Sequence, residues 1–134
     1  MRREWPNLIG DGAYSDVPKI LNRGGWNVPW PDGTTRHIEP VDPRRWKHIM
    51  EDHAPGGIDH RQFTGMMGSE IAELIDDAIR NGKYGVPDDN KKVHNFQIDM
   101  RDGRKMEVAI RVVKGQTHIW TAFPIDDPLR KVFK

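Results

Sequence analysis

Between residues 70 and 112 the spacing of apolar residues changes from that of a helix to that of a strand, and few folds accommodate that order. Ile71, Leu74, Ile75, Ala78 and Ile79 recur at three- and four-residue intervals, which places them on one stripe of a helix. Ser69 is a candidate cap for its start. Glu70 and Glu73 suit the positive end of the helix dipole, and Asn81-Gly82 supplies the stop. After a polar loop from Gly85 to Lys92, the period falls to two: His94, Phe96, Ile98 and Met100 alternate with polar residues. Asp102-Gly103 marks a tight turn, and Met106, Val108, Ile110 and Val112 alternate again. Lys114-Gly115 turns the chain into a third run, Thr117 to Phe123, which Pro124 should end. These runs predict an α+β domain: helices in the first half packed on one face of a C-terminal antiparallel sheet, a three-stranded meander.

A second helix precedes this unit. Asp42-Pro43 joins a good N-cap to a residue suited to the first helical position. Trp46, Ile49, Met50 and His53 then follow the i, i+3, i+4, i+7 stripe, which turns His53 inward and His48 largely away; Pro55-Gly56-Gly57 ends the helix. Further upstream the chain is rich in proline and glycine. Trp26, Val28 and Trp30 alternate before Pro31-Asp32-Gly33 and Thr35 to Ile38, a short hairpin at most. We therefore divide the chain into an irregular segment, 1–36, part linker and part hairpin, and a folded domain, 37–134.

At 134 residues the chain is long enough for one real core. It has no cysteine, which excludes disulfides and thiolate chemistry. No apolar run approaches the roughly 20 residues that span a bilayer, and Met1 to Pro6 is not followed by the apolar stretch of a signal peptide. The net charge of +1 is unevenly spread: residues 80–134 hold 12 Lys/Arg against 7 Asp/Glu, whereas residues 1–79 hold 9 against 13. A basic sheet half suits a polyanionic substrate, and it equally suits an ordinary solvated surface.

Histidine is the residue type that can carry chemistry here. Of six histidines, His48, His53 and His60 fall within 13 residues, with Arg61 beside the last. Two imidazoles supply a general base and a general acid near neutral pH. RNA cleavage needs little more, because the 2′-hydroxyl is an internal nucleophile and the charged phosphorane needs only cationic and hydroxyl donors. Arg61, Arg111, Lys114 and Thr121 are available for that. A histidine on an apolar helical face is also a common core residue, satisfied by one hydrogen bond. Thr121 in turn reads either as a site residue or as a tolerated strand residue that interrupts the apolar set of Ile119 and Phe123, should the three share a face.

The string Trp46-Lys47-His48-Ile49-Met50-Glu51-Asp52-His53, then Gly56-Gly57 and His60, a helix, a hairpin and Trp120-Thr121-Ala122-Phe123-Pro124 resembles the barnase/EndoU/colicin E5–D/RelE superfamily of small ribonucleases. Within it the chain is most similar to EndoU-like toxin domains at the C-termini of contact-dependent inhibition and other polymorphic toxins. The resemblance covers about residues 37–125. It implies His53 and His60 as the acid/base pair and Thr121 as a phosphate or substrate contact; beside these, the residues themselves offer Arg61 as a further partner at the phosphate, and Arg111, Lys114 and His48 as substrate contacts. It implies no metal or cofactor, and as partners an RNA (tRNA among the options), a larger secreted carrier and a cognate immunity protein, with action in the cytoplasm of a target cell. Two positions depart from the pattern. The lysine that EndoU-type sites carry after the second histidine is replaced by Arg61, and the last aromatic is Phe123, without a phenolic hydroxyl. Two other classes stay open: a metal-dependent HNH-like nuclease, faintly suggested by Asp52-His53 before Pro55-Gly56-Gly57, and a non-enzymatic immunity or adaptor protein.

Overall fold

The computed structural model of the chain describes residues 17–30, 32–59, 61–85, 93–113 and 116–125. The fold is α+β, with two α-helices and a six-stranded, mostly antiparallel sheet among the described residues. A single 3-10 turn, Lys19–Leu21, precedes the first strand.

Helix α1, Pro43–His53, starts as its sequence dictates. The Asp42 carboxylate accepts from the Arg44 amide at 2.7 Å, and Trp46, Ile49, Met50 and His53 are buried along one stripe. Helix α2, Gly68–Asn81, is capped differently from expectation. Ser69 lies inside its first turn, and the Glu70 carboxylate reaches back to accept from the Met67 amide at 2.8 Å. The longer acidic side chain spans the turn that the serine hydroxyl would have closed. Gly82 follows the helix with an ordinary negative φ. What it supplies is space, since a Cβ there would lie 2.4 Å from the Ala78 carbonyl oxygen and 2.7 Å from that of Gln97.

The strands are β1 (Trp26–Pro29), β2 (Thr35–Ile38), β3 (Lys83–Gly85), β4 (Val93–Asp99), β5 (Lys105–Val113) and β6 (Gln116–Ile125), arranged in space as β1-β2-β6-β5-β4-β3. The expected meander is thus the β4-β5-β6 core of a larger sheet. Two elements extend it. The N-terminal hairpin β1-β2 joins β6 through one parallel pair, Ile38 with Thr117, so the segment from Trp26 onward belongs to the same sheet as the C-terminal half. Strand β3, which the sequence reading placed at the edge of a loop, pairs with β4 from Lys83 opposite Gln97. Pro124 does not end β6, which continues to Ile125. Among the described residues β2 pairs with β6 only at Thr117, so Pro124 lies beyond the β2 pairing and sits opposite Met106 of β5 alone.

Helix α2 packs against β1, β4 and β5, and α1 packs against β6. One apolar cluster fills the space between: Trp46, Ile49 and Met50 from α1, Ile71, Ile75 and Ile79 from α2, and Met106, Val108 and Ile110 from β5 are at most 2 % exposed. The indole of Trp26 also donates to Asp76 at 2.9 Å, which ties β1 to α2.

Candidate functional site

The alternation in β4, β5 and β6 leaves a second set of side chains on the opposite face of the sheet, and that face is buried as well. Pairing aligns Gln97, Glu107 and Phe123 in one cross-strand row and Asn95, Ala109 and Thr121 in the next. All six are less than 10 % exposed. Glu107 accepts from the Asn95 amide at 2.6 Å and from the Gln97 amide at 3.2 Å. In the neighbouring row the Asn95 side-chain oxygen and the Thr121 hydroxyl are buried without a hydrogen-bond partner among the described residues, on either side of the small Ala109.

A β-bulge sets this arrangement. Ala109 lies opposite Thr121 but Ile110 lies opposite Ile119, so Trp120 is the extra residue. Ile119 therefore faces the apolar cluster, whereas Thr121 and Phe123 stand on the polar face. The threonine does not interrupt an apolar set after all. It belongs to a different face.

The end of α1 and the loop after it close one side of the site. His53 is 3 % exposed, and its ring lies 5.4 Å from that of Phe123. Its Nδ1 is 2.8 Å from the Arg61 carbonyl oxygen. A carbonyl can only accept, so Nδ1 carries the proton and the neutral ring presents an unprotonated Nε2. Among the described residues Nε2 has no hydrogen-bond partner. Burial lowers the His53 pKa below 6.5, against the opposing pull of the Arg61 carbonyl and Asp59, so the ring is neutral at pH 7.

Arg61 is held in place from two sides. Its Nε and one Nη each donate to Asp59 at 3.0 Å, and its guanidinium lies 4.1 Å from the centre of the Phe123 ring. These bonds push the Asp59 carboxyl well below the usual carboxylate range and raise Arg61 further, with Glu107 adding to the latter. Only two of the five N–H donors of Arg61 are used in this ion pair.

The structure thus gathers His53, Arg61 and Thr121 around Phe123 and the polar rows. His48 stands apart on the outer side of α1, its ring 6.4 Å from that of His53 and its Nε2 3.4 Å from Asp52. Arg111 is exposed on β5 and reaches Trp120 rather than the His53 cluster. His60 and Lys114 lie outside the described residues. Asn95, Gln97 and Glu107 were missed from sequence because they occupy the polar phase of each strand, the phase normally given to solvent. The signal available was their chemistry: two amides and one carboxylate in register across a hairpin whose turn, Asp102-Gly103, fixes the pairing.

Among the described residues no group of three or more His, Asp or Glu side chains converges to hold a metal ion, and no helix is long and apolar enough to cross a membrane. No protein-family model, curated protein or solved structure matches the chain.

Proposed function

We propose that the chain is a ribonuclease of the bacterial toxin type that cleaves RNA by 2′-hydroxyl transesterification without a metal. The observation that carries the reading is the fixed tautomer of His53: a neutral imidazole with a free Nε2, beside a guanidinium that retains unused donors. In this mechanism Nε2 of His53 takes the proton of the 2′-hydroxyl as O2′ attacks the adjacent phosphorus. The P–O5′ bond breaks, and the departing 5′-oxygen takes a proton from the general acid, for which His60 is our candidate from the sequence. The products are a 2′,3′-cyclic phosphate and a free 5′-hydroxyl. Arg61 and the Thr121 hydroxyl would donate to the non-bridging oxygens, where charge accumulates. A positioned base and acid each contribute roughly 10²–10⁴-fold.

The same reading places the chain in a larger secreted carrier and gives it an acidic immunity protein that blocks the site. The basic C-terminal half favours rapid association with such a partner. The test uses purified protein, labelled RNA (tRNA included) and excess EDTA. We expect cleavage that leaves 2′,3′-cyclic phosphate ends and stops at a 2′-deoxyribose substituted at the cleaved position. Activity lost on chelation and restored by Mg²⁺ or Zn²⁺ would replace this reading with the HNH-like one. Absence of any cleavage by a folded protein would remove the enzyme.

A further inference from the structure

A second feature lies on the same sheet face, about 10 Å along β6 from Phe123 at ~3.3 Å per strand residue. Trp120 is 39 % exposed, one of three large apolar side chains that are open to solvent among the described residues. The bulge turns it out of the ladder, and two arginines from different elements meet it. Arg45 of α1 lies 4.2 Å from the indole centre and donates to the Trp120 carbonyl at 3.1 Å; Arg111 of β5 lies 4.6 Å from the indole centre. Among the described residues neither arginine pairs with a carboxylate, unlike Arg36, Arg61, Arg80 and Arg104, each of which does. These residues line a cleft of about 280 Å³ together with Arg44, His118 and one acid, Asp42, whose carboxylate caps α1.

We infer that this cleft is a subsite for single-stranded RNA, in which Trp120 and its guanidiniums stack an unpaired base and Arg45, Arg111 and Arg44 take the adjoining phosphates. Planar guanidiniums and an indole stack bases of any identity, and unpaired guanidinium edges suit phosphate oxygens. A protein partner needs about 800 Å² per side, whereas a small concave cleft with three cations suits a nucleotide. The inference rests on the ribonuclease reading and adds which RNA it takes: an unpaired stretch, held on the β6 side of the scissile phosphate and recognised by stacking rather than by base identity. Duplex RNA, with its bases already stacked, cannot use it.

The full chain would be titrated with a fluorescent, single-stranded 2′-O-methyl RNA, which cannot be cleaved by this chemistry, and with the same sequence as a duplex. We expect the single strand to bind more tightly. Trp120→Ala should weaken it by roughly 5- to 150-fold, while Trp120→Phe restores most of the loss. Arg45→Ala and Arg111→Ala should each weaken binding and lower the salt slope by roughly 0.7. Circular dichroism and Tm confirm that each variant is folded. If the parent cleaves RNA but Trp120→Ala binds and cleaves like it, the subsite is wrong and the ribonuclease reading stands. If the parent binds no RNA, or if duplex binds as well as single strand, the inference is overturned. Binding of an acidic protein alone at this cleft overturns it too.

Discussion

Replacing His53 by asparagine separates what this residue does for the fold from what it does for the reaction. The asparagine amide nitrogen can occupy the position of Nδ1 and keep the 2.8 Å bond to the Arg61 carbonyl, but it offers nothing in place of Nε2. The structural loss is then confined to the ring and its contact with Phe123, about 1 kcal/mol. His53→Ala removes the hydrogen bond as well and leaves a carbonyl unpaired at a partly buried position. That adds about 1–3 kcal/mol, for a total of roughly 2–4 kcal/mol. At roughly 4 °C per kcal/mol for a chain of this size, Tm should fall by about 4 °C in the asparagine variant and by about 8–16 °C in the alanine variant. Cleavage should behave differently. Both variants lose the base, so both should lose roughly 10²–10⁴-fold in kcat/KM, measured with a fluorogenic RNA and normalised to folded protein. A folded His53→Asn protein that cleaves at the parental rate would refute the base assignment. Equal destabilisation by asparagine and alanine would refute the tautomer from which the assignment was drawn.

The pH dependence of stability follows from the same group. Because His53 has a lowered pKa when folded, the unfolded chain binds the extra proton first; its contribution is complete above about 6.5 and declines as pH falls below that value. Asp59, also lowered, adds a second loss below about 3.8, and Tm measured across this range should lose its upper step in His53→Asn. Thr121→Val removes a buried hydroxyl that has no partner among the described residues, so Tm should hold or rise by the equivalent of about 0.5–1 kcal/mol while cleavage falls; a drop in Tm would mean that the hydroxyl is bonded. Glu107→Ala leaves the Asn95 and Gln97 amides without their acceptor, and urea unfolding should register a loss of about 2–4 kcal/mol. An unchanged midpoint would show that the row contributes nothing to the fold.

Both helices were legible because their information is local. The stripe through Trp46, Ile49, Met50 and His53 determines a face whatever lies beyond it, and the structure buries those four residues. The alternation in β4 and β5 was legible for the same reason, and so was the inward turn of His53. What escaped depends on partners distant in sequence. Three residues, Lys83–Gly85, carry too little pattern to announce a strand, and β3 exists because β4 offers it an edge. The hairpin at Trp26–Ile38 reads as an isolated turn until Thr117, far along the chain, supplies the bridge. Period-two patterning also says which residues share a face without saying that both faces are covered. That is why the Asn95, Gln97 and Glu107 set did not stand out. The bulge at Trp120 is one added residue in a strand, visible only against its partner.

The position of β6 has a consequence for the order in which the sheet can be assembled. Among the described strands it is the last in chain order and an interior one in space, flanked by β2 on one side and β5 on the other. The chain must be synthesised past residue 117 before the two parts of the sheet can be joined, and closing the loop between Ile38 and Thr117 is the entropically costly, slow kind of contact. Thr121 and Phe123 arrive only with that strand. A nascent chain stalled before residue 116 would hold His53 and Arg61 with no floor beneath them. The polar face is thus completed only by the strand that also bridges the two parts of the sheet.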